Sequence, residues 1–206
     1  MAARRAHPPH SIAPWAEIVP GYGPVTVDLL LTLPDDGYQY EVVEGVLVRM
    51  AGSGERATTI GGTIYAELRA YVRPRRLGVA TPADGVYKFV GAETGLLPDA
   101  GYYVAARRAL ISDRNKPIPF APDLAAEVAS PDQRQADMDA KAVTYLEGGT
   151  RLAWVVWPER EEIDVWRAGG TDRPAMTLVM GDALSGEDVV PGFTLAVAEV
   201  FADPLP

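Results

Sequence analysis

The run Leu124-Ala125-Ala126-Glu127-Val128-Ala129 places one carboxylate inside an otherwise apolar stretch. A strand covered on both faces reads as a continuous apolar run rather than an alternation, so residues 123–129 predict the buried central strand of a sheet. The same run sets a charge problem. Burying an ionised carboxylate without a partner costs several kcal/mol, and no basic residue lies within the run. The partner of Glu127 must therefore come from elsewhere: an arginine, a lysine or a metal ion.

Other elements group around that strand. Thr26 is placed to cap a short helix ending near Leu33. Residues 38–43 and 46–50 are β-rich runs flanking Glu44-Gly45, a hairpin pattern. Ile60, Ile64, Leu68 and Tyr71-Val72 recur at helical spacing over residues 57–72, and Pro74 predicts the stop. Gly61 and Gly62 each cost that helix about 1 kcal/mol relative to alanine, which points to close packing against a neighbour. Short strands are expected at 79–80, 85–90 and 100–105. A helix over 134–147 closes on Gly148-Gly149, and a second hairpin joins 152–157 to 162–167. Residues 175–179 and 195–201 read as edge strands or short helical pieces. The order predicts an α/β protein, a mixed central β-sheet with two main helices and hairpins at its margins.

At 206 residues the chain suits one domain. Five prolines within residues 1–24 predict a flexible arm, leaving 25–206 as that domain. Cysteine is absent, and the two histidines, His7 and His10, both fall in the arm. Thiolate chemistry, a Ser-His-Asp triad and a multi-histidine metal centre are thereby disfavoured. No apolar run approaches the roughly 20 residues of a membrane span, and the N-terminus lacks a signal-peptide pattern, so the expected compartment is the cytoplasm.

The net charge of −9 is unevenly spread. Residues 1–110 hold 11 basic and 11 acidic residues, whereas 111–206 hold 8 and 17. The balanced half carries the cluster Arg69, Arg73, Arg75 and Arg76. It reads either as a solvated helix end favoured by the dipole or as a phosphate-binding patch.

Two further acids sit in apolar surroundings. Asp99 follows Leu96-Leu97-Pro98 and stands at the mouth of a strand; it could shape a turn. Glu41 lies within Tyr40-Glu41-Val42-Val43 and could face solvent from an edge strand. Lys141, one of three lysines against sixteen arginines, falls three after Met138 and four before Tyr145, on the inward-turning face of its helix. Spacing alone favours a helix-surface pair with Asp137, four residues earlier, with the stem packed and the ammonium in water. Carboxylates of this kind suit Mg²⁺ or Mn²⁺. Beside a lysine, a cation so held suits phosphodiester hydrolysis without histidine or cysteine.

These residues fall in an order that resembles the Uma family of putative restriction endonucleases, within the PD-(D/E)XK nuclease superfamily. The carriers run from Tyr40-Glu41-Val42-Val43-Glu44-Gly45-Val46 through Pro98-Asp99 and Pro122 to Pro131. They continue with Asp137, Lys141, Tyr145, Gly149, Trp154-Val155-Val156-Trp157-Pro158 and Pro191-Gly192-Phe193. The resemblance implies a restriction-endonuclease-like core and metal-dependent DNA cleavage. It assigns Asp99 and Glu127 to the two halves of the acidic motif and Glu41 to the early glutamate. The superfamily's lysine would stand at Ala129; Lys141 is the substitute from the following helix. Relatives usually show a histidine where this chain has Ala57, and Asp-Pro where it has Trp157-Pro158.

The expectation is a Mg²⁺- or Mn²⁺-dependent endonuclease in which Asp99, Glu127 and Glu41 hold metal and Lys141 assists. DNA is the expected partner, and a homodimer would cut both strands. The alternatives are a non-catalytic interaction module that retains the fold, motivated by the acidic half and the missing in-strand lysine, and a metal-dependent hydrolase of another phosphorylated substrate.

Overall fold

In the computed structural model, residues 13–170, 172–203 and 205 are described. The strand carrying Glu127 is the hub. In chain order the elements are β1 (Glu17–Ile18), β2 (Gln39–Val43), β3 (Val46–Met50), α1 (Glu55–Arg75), β4 (Gly78–Pro82), β5 (Tyr87–Lys88), β6 (Gly95–Leu96) and β7 (Ala100–Val104). They continue with β8 (Leu124–Val128), α2 (Gln135–Glu147), β9 (Leu152–Trp157), β10 (Glu162–Arg167), β11 (Met176–Leu178), β12 (Ala183–Ser185), β13 (Thr194–Ala196) and α3 (Val197–Val200).

The main sheet has the order β11-β10-β9-β8-β7-β4. All its pairs are antiparallel except β8 with β9, which run parallel, with Glu127 beside Val155. A parallel pair needs a crossover, and α2 supplies it. The predicted mixed sheet flanked by helices is therefore present. The chain also builds a second sheet, β1-β3-β2-β6-β5, and a ribbon of β12 with β13, where one sheet with marginal hairpins was expected.

Side-chain alternation across β8 and β9 assigns the two main helices to opposite faces. Leu124, Ala126, Val128, Leu152, Trp154 and Val156 pack with Ile60, Ile64, Leu68 and Val72 of α1. Ala153, Val155 and Trp157 turn the other way, against Met138, Ala142 and Leu146 of α2. Burial on both sides is why β8 reads as an apolar run rather than an alternation. Among the described residues, no helix is long and apolar enough to cross a membrane.

Several boundaries differ from expectation for local reasons. Residues 1–12 of the expected arm, with both histidines, lie outside the described residues. From residue 13 the arm is built into the fold: Ala13 and Trp15 are buried, and Glu17 and Ile18 pair with Arg49 and Val48. Thr26 makes no side-chain cap, and residues 27–31 form a 3-10 turn whose Val27 N–H is taken by Glu93. Helix α1 runs through Pro74 to Arg75, three residues past its predicted end at residue 72, because a proline in the final turn forfeits only one backbone bond. Arg76 then closes the helix in the left-handed region.

The two α1 glycines separate. A Cβ on Gly61 would stand 3.2 Å from the Cβ of Asp99, so this glycine lets the helix press against the acid; Gly62 faces open space. Gly62→Ala should raise stability by about 0.5–1 kcal/mol. Gly61→Ala should gain less, because Asp99 must give way. Equal gains for the two variants in urea unfolding would contradict this packing.

Candidate active site

Four elements converge on one small space. Glu127 projects from β8 toward α2, where Lys141 and Tyr145, four residues apart, share a face. The Lys141 ammonium donates to Glu127 Oε2 at 2.9 Å, and the Tyr145 hydroxyl donates to Glu127 Oε1 at 2.6 Å. Glu41 arrives from β2 of the second sheet, its Oε1 lying 3.2 Å from the same ammonium. Trp15 Nε1 donates to Glu41 Oε2 and the Leu97 N–H to Oε1, both at 3.0 Å.

Asp99 closes the group. The pairing of β7 with β8 begins at Ala100 and Ala126, so the Val128 N–H projects beyond the end of β7. Asp99, one residue before β7, accepts that N–H through Oδ2 at 2.7 Å. Glu41, Asp99, Glu127 and Lys141 line a cavity of about 30 Å³ together with Ser130 and Gln133. That is about the share of one water molecule.

The catalytic candidates expected from the sequence thus come together. The arginines do not join them: Arg69, Arg73, Arg75 and Arg76 are exposed on the C-terminal part of α1. They lie roughly 12 to 22 Å further along the helix axis than Gly61, the residue that touches Asp99. Arg75 stacks over Tyr71 at 4.0 Å. Nor does Lys141 pair with Asp137. Both oxygens of Asp137 accept from Arg134 at 2.8 Å, and Lys141 is 2 % exposed rather than reaching for water.

Two site residues were not singled out from sequence. Tyr145 was legible in principle, since it follows Lys141 by one helical turn. Trp15 left no signal, because its contact with Glu41 spans 26 residues and two elements.

Three carboxylates against one ammonium leave the cluster short of positive charge. Burial raises Glu127 above its ordinary value, against the pull of Lys141. Burial likewise raises Asp99, partly offset by the Val128 N–H. Burial disfavours the Lys141 ammonium, but Glu127 and Glu41 outweigh it and hold Lys141 above its ordinary value. Burial also raises Tyr145, keeping it a hydroxyl donor.

In chemistry the donor set fits a hard divalent cation: oxygen ligands carrying excess negative charge. In arrangement it is narrower than expected. Among the described residues, no three of His, Cys, Asp and Glu stand together so as to hold a metal ion. Trp15, Leu97 and Lys141 already engage both oxygens of Glu41.

The arrangement is thus a mixed α/β sheet between two helices, with one acid on its central strand and another at its mouth. Residues 27–198 match the Uma2 family of putative restriction endonucleases, and the chain belongs to that family. No curated protein matches the sequence. Among solved structures, the fold is similar to that of a putative nuclease of the DUF820 group from Anabaena variabilis. The TM-score is 0.70 at 21% identity, covering 86% of this chain and 98% of that one.

The raised Glu127 carboxyl predicts a pH signature. A group whose folded value exceeds its unfolded one contributes stability below the unfolded value and loses it as pH rises through the folded value. The stability of the wild-type protein relative to Glu127→Gln should therefore fall over the pH window above about 4.5, the ordinary value of the carboxyl. Parallel denaturation midpoints for the two proteins across that window would contradict the shift.

Proposed function

We propose that this protein is a divalent-metal-dependent endonuclease that hydrolyses DNA phosphodiester bonds. The observation that carries the reading is the meeting of Asp99, Glu127, Glu41 and Lys141 at one buried cavity, with carboxylates in excess of cations. Family membership supports the reaction class.

Asp99 and Glu127 are the residues that would hold Mg²⁺ or Mn²⁺. When bound, the cation supplies Lewis-acid polarisation of the phosphodiester and activation of water. Lys141 keeps Glu127 oriented and places an ammonium where negative charge develops on the phosphate. Glu41 is a positioning residue: it shares the ammonium with Glu127 and is itself fixed by Trp15 and the Leu97 N–H. Tyr145 holds the second oxygen of Glu127. In this reading the enzyme acts in the cytoplasm, and a homodimer presents two such sites to the two strands.

One observation favours a second reading. Lys141 already occupies both glutamates as a countercation, the arrangement of a structural ion-pair cluster in an interaction module that has kept the fold. Cleavage separates the two. Incubated with plasmid and oligonucleotide DNA, the wild-type protein should cut in Mg²⁺ or Mn²⁺ and stop in chelator. Asp99→Asn and Glu127→Gln should each lose about 10²-fold or more. Cutting that survives chelator or Glu127→Gln contradicts the mechanism. Absence of cutting across DNA substrates, with turnover of small phosphodiesters, would reassign the site to another phosphorylated substrate.

A further inference from the structure

Two clefts flank residues 130–133, which wall the acid cluster. The larger, about 870 Å³, lies beside the N-terminal segment. It carries Glu17, paired with Arg49, Asp137, paired with Arg134, and Asp132. The smaller, about 240 Å³, lies toward the turn between β9 and β10. Its single acid, Glu159, is exposed and paired with Arg56. Ser130 and Gln133 line both this cleft and the acid cavity.

Inside the smaller cleft Arg160 lies against Trp157. The Arg160 guanidinium carbon sits 4.2 Å over the Trp157 ring. The indole is pinned because its Nε1 donates at 2.8 Å to Asp164, a buried acid that also accepts from Thr177 and Gln135. The guanidinium is pinned because its Nη2 donates to Gln135 Oε1 at 2.7 Å and its Nε lies 3.4 Å from Glu162. The Arg160 side chain remains 44% exposed.

We infer that the Trp157–Arg160 ledge is a stacking site for one unpaired base of a DNA strand whose phosphodiester is presented to the acid cluster. The inference rests on the nuclease reading above. Every base has a π-face, and a guanidinium already seated over an indole offers it a delocalised cation to stack on. The stack takes any base, so it supplies grip and register rather than sequence preference.

Fluorescence anisotropy in chelator, with a labelled single-stranded oligonucleotide and the same strand made abasic, tests the site without cleavage. The wild-type protein should bind the intact strand at least about tenfold more tightly than the abasic one. Arg160→Lys keeps the charge but not the plane. It should bind both strands with the affinity that the wild-type protein shows for the abasic strand; Arg160→Ala should bind both still more weakly. The inference is overturned if the wild-type protein binds the two strands equally, if discrimination survives in Arg160→Lys, or if neither strand binds. DNA cleavage that depends on Glu127 alongside any of these results would leave the nuclease reading standing, so the two failures are distinguishable.

Discussion

The ion pair between Glu127 and Lys141 is the interaction around which the rest of the structure is arranged. Each ion costs several kcal/mol to take out of water, and neither could stay buried and charged alone. The pair ties the central strand to the helix that crosses over to its parallel neighbour. Because Glu41 shares the same ammonium, it also ties the second sheet to the first. A pair built for stability would stop at neutrality. Here a second and a third carboxylate surround one lysine, and burial raises Glu127 above its ordinary value. Excess buried charge of one sign in a polar cavity is the pattern of a functional site more than of a structural brace.

The physical chemistry of β8 made that centre legible in advance. An acid inside an apolar run had to find a cation, and Lys141 was among the few lysines able to turn inward. Helical spacing alone favours Asp137 over the inward partners, since that acid lies within reach along α2. The choice is tertiary: Arg134 takes both oxygens of Asp137 from three residues away, leaving Lys141 to the interior. Trp15 was hidden by the proline density of its neighbourhood. That composition speaks against helix and regular strand but not against a two-residue bridge such as β1 or a single indole hydrogen bond. The end of α1 shows a similar limit, because the cost of Pro74 depends on where in the last turn it falls.

In the proposed reading, Lys141 stands in for the lysine that nucleases of the superfamily the chain resembles place at the position of Ala129. Lys141 meets the same carboxylate from the following helix, within hydrogen-bonding distance of Glu127. The substitution of Trp157-Pro158 for the Asp-Pro of relatives has a counterpart in the same region. The indole packs into the α2-side core, is fixed by Asp164 and carries Arg160. Both departures thus fall on residues that are tightly held by the fold, on the same face of the main sheet.

The central claim is that two acids far apart in sequence, Asp99 and Glu127, form a seat for a divalent cation. Calorimetric titration of Mn²⁺ into the wild-type protein and into Asp99→Asn tests it most directly, free of any assumption about substrate. The account predicts saturable binding by the wild-type protein that disappears in the variant while the fold persists. Equal binding by both proteins, or heat from neither, would contradict it.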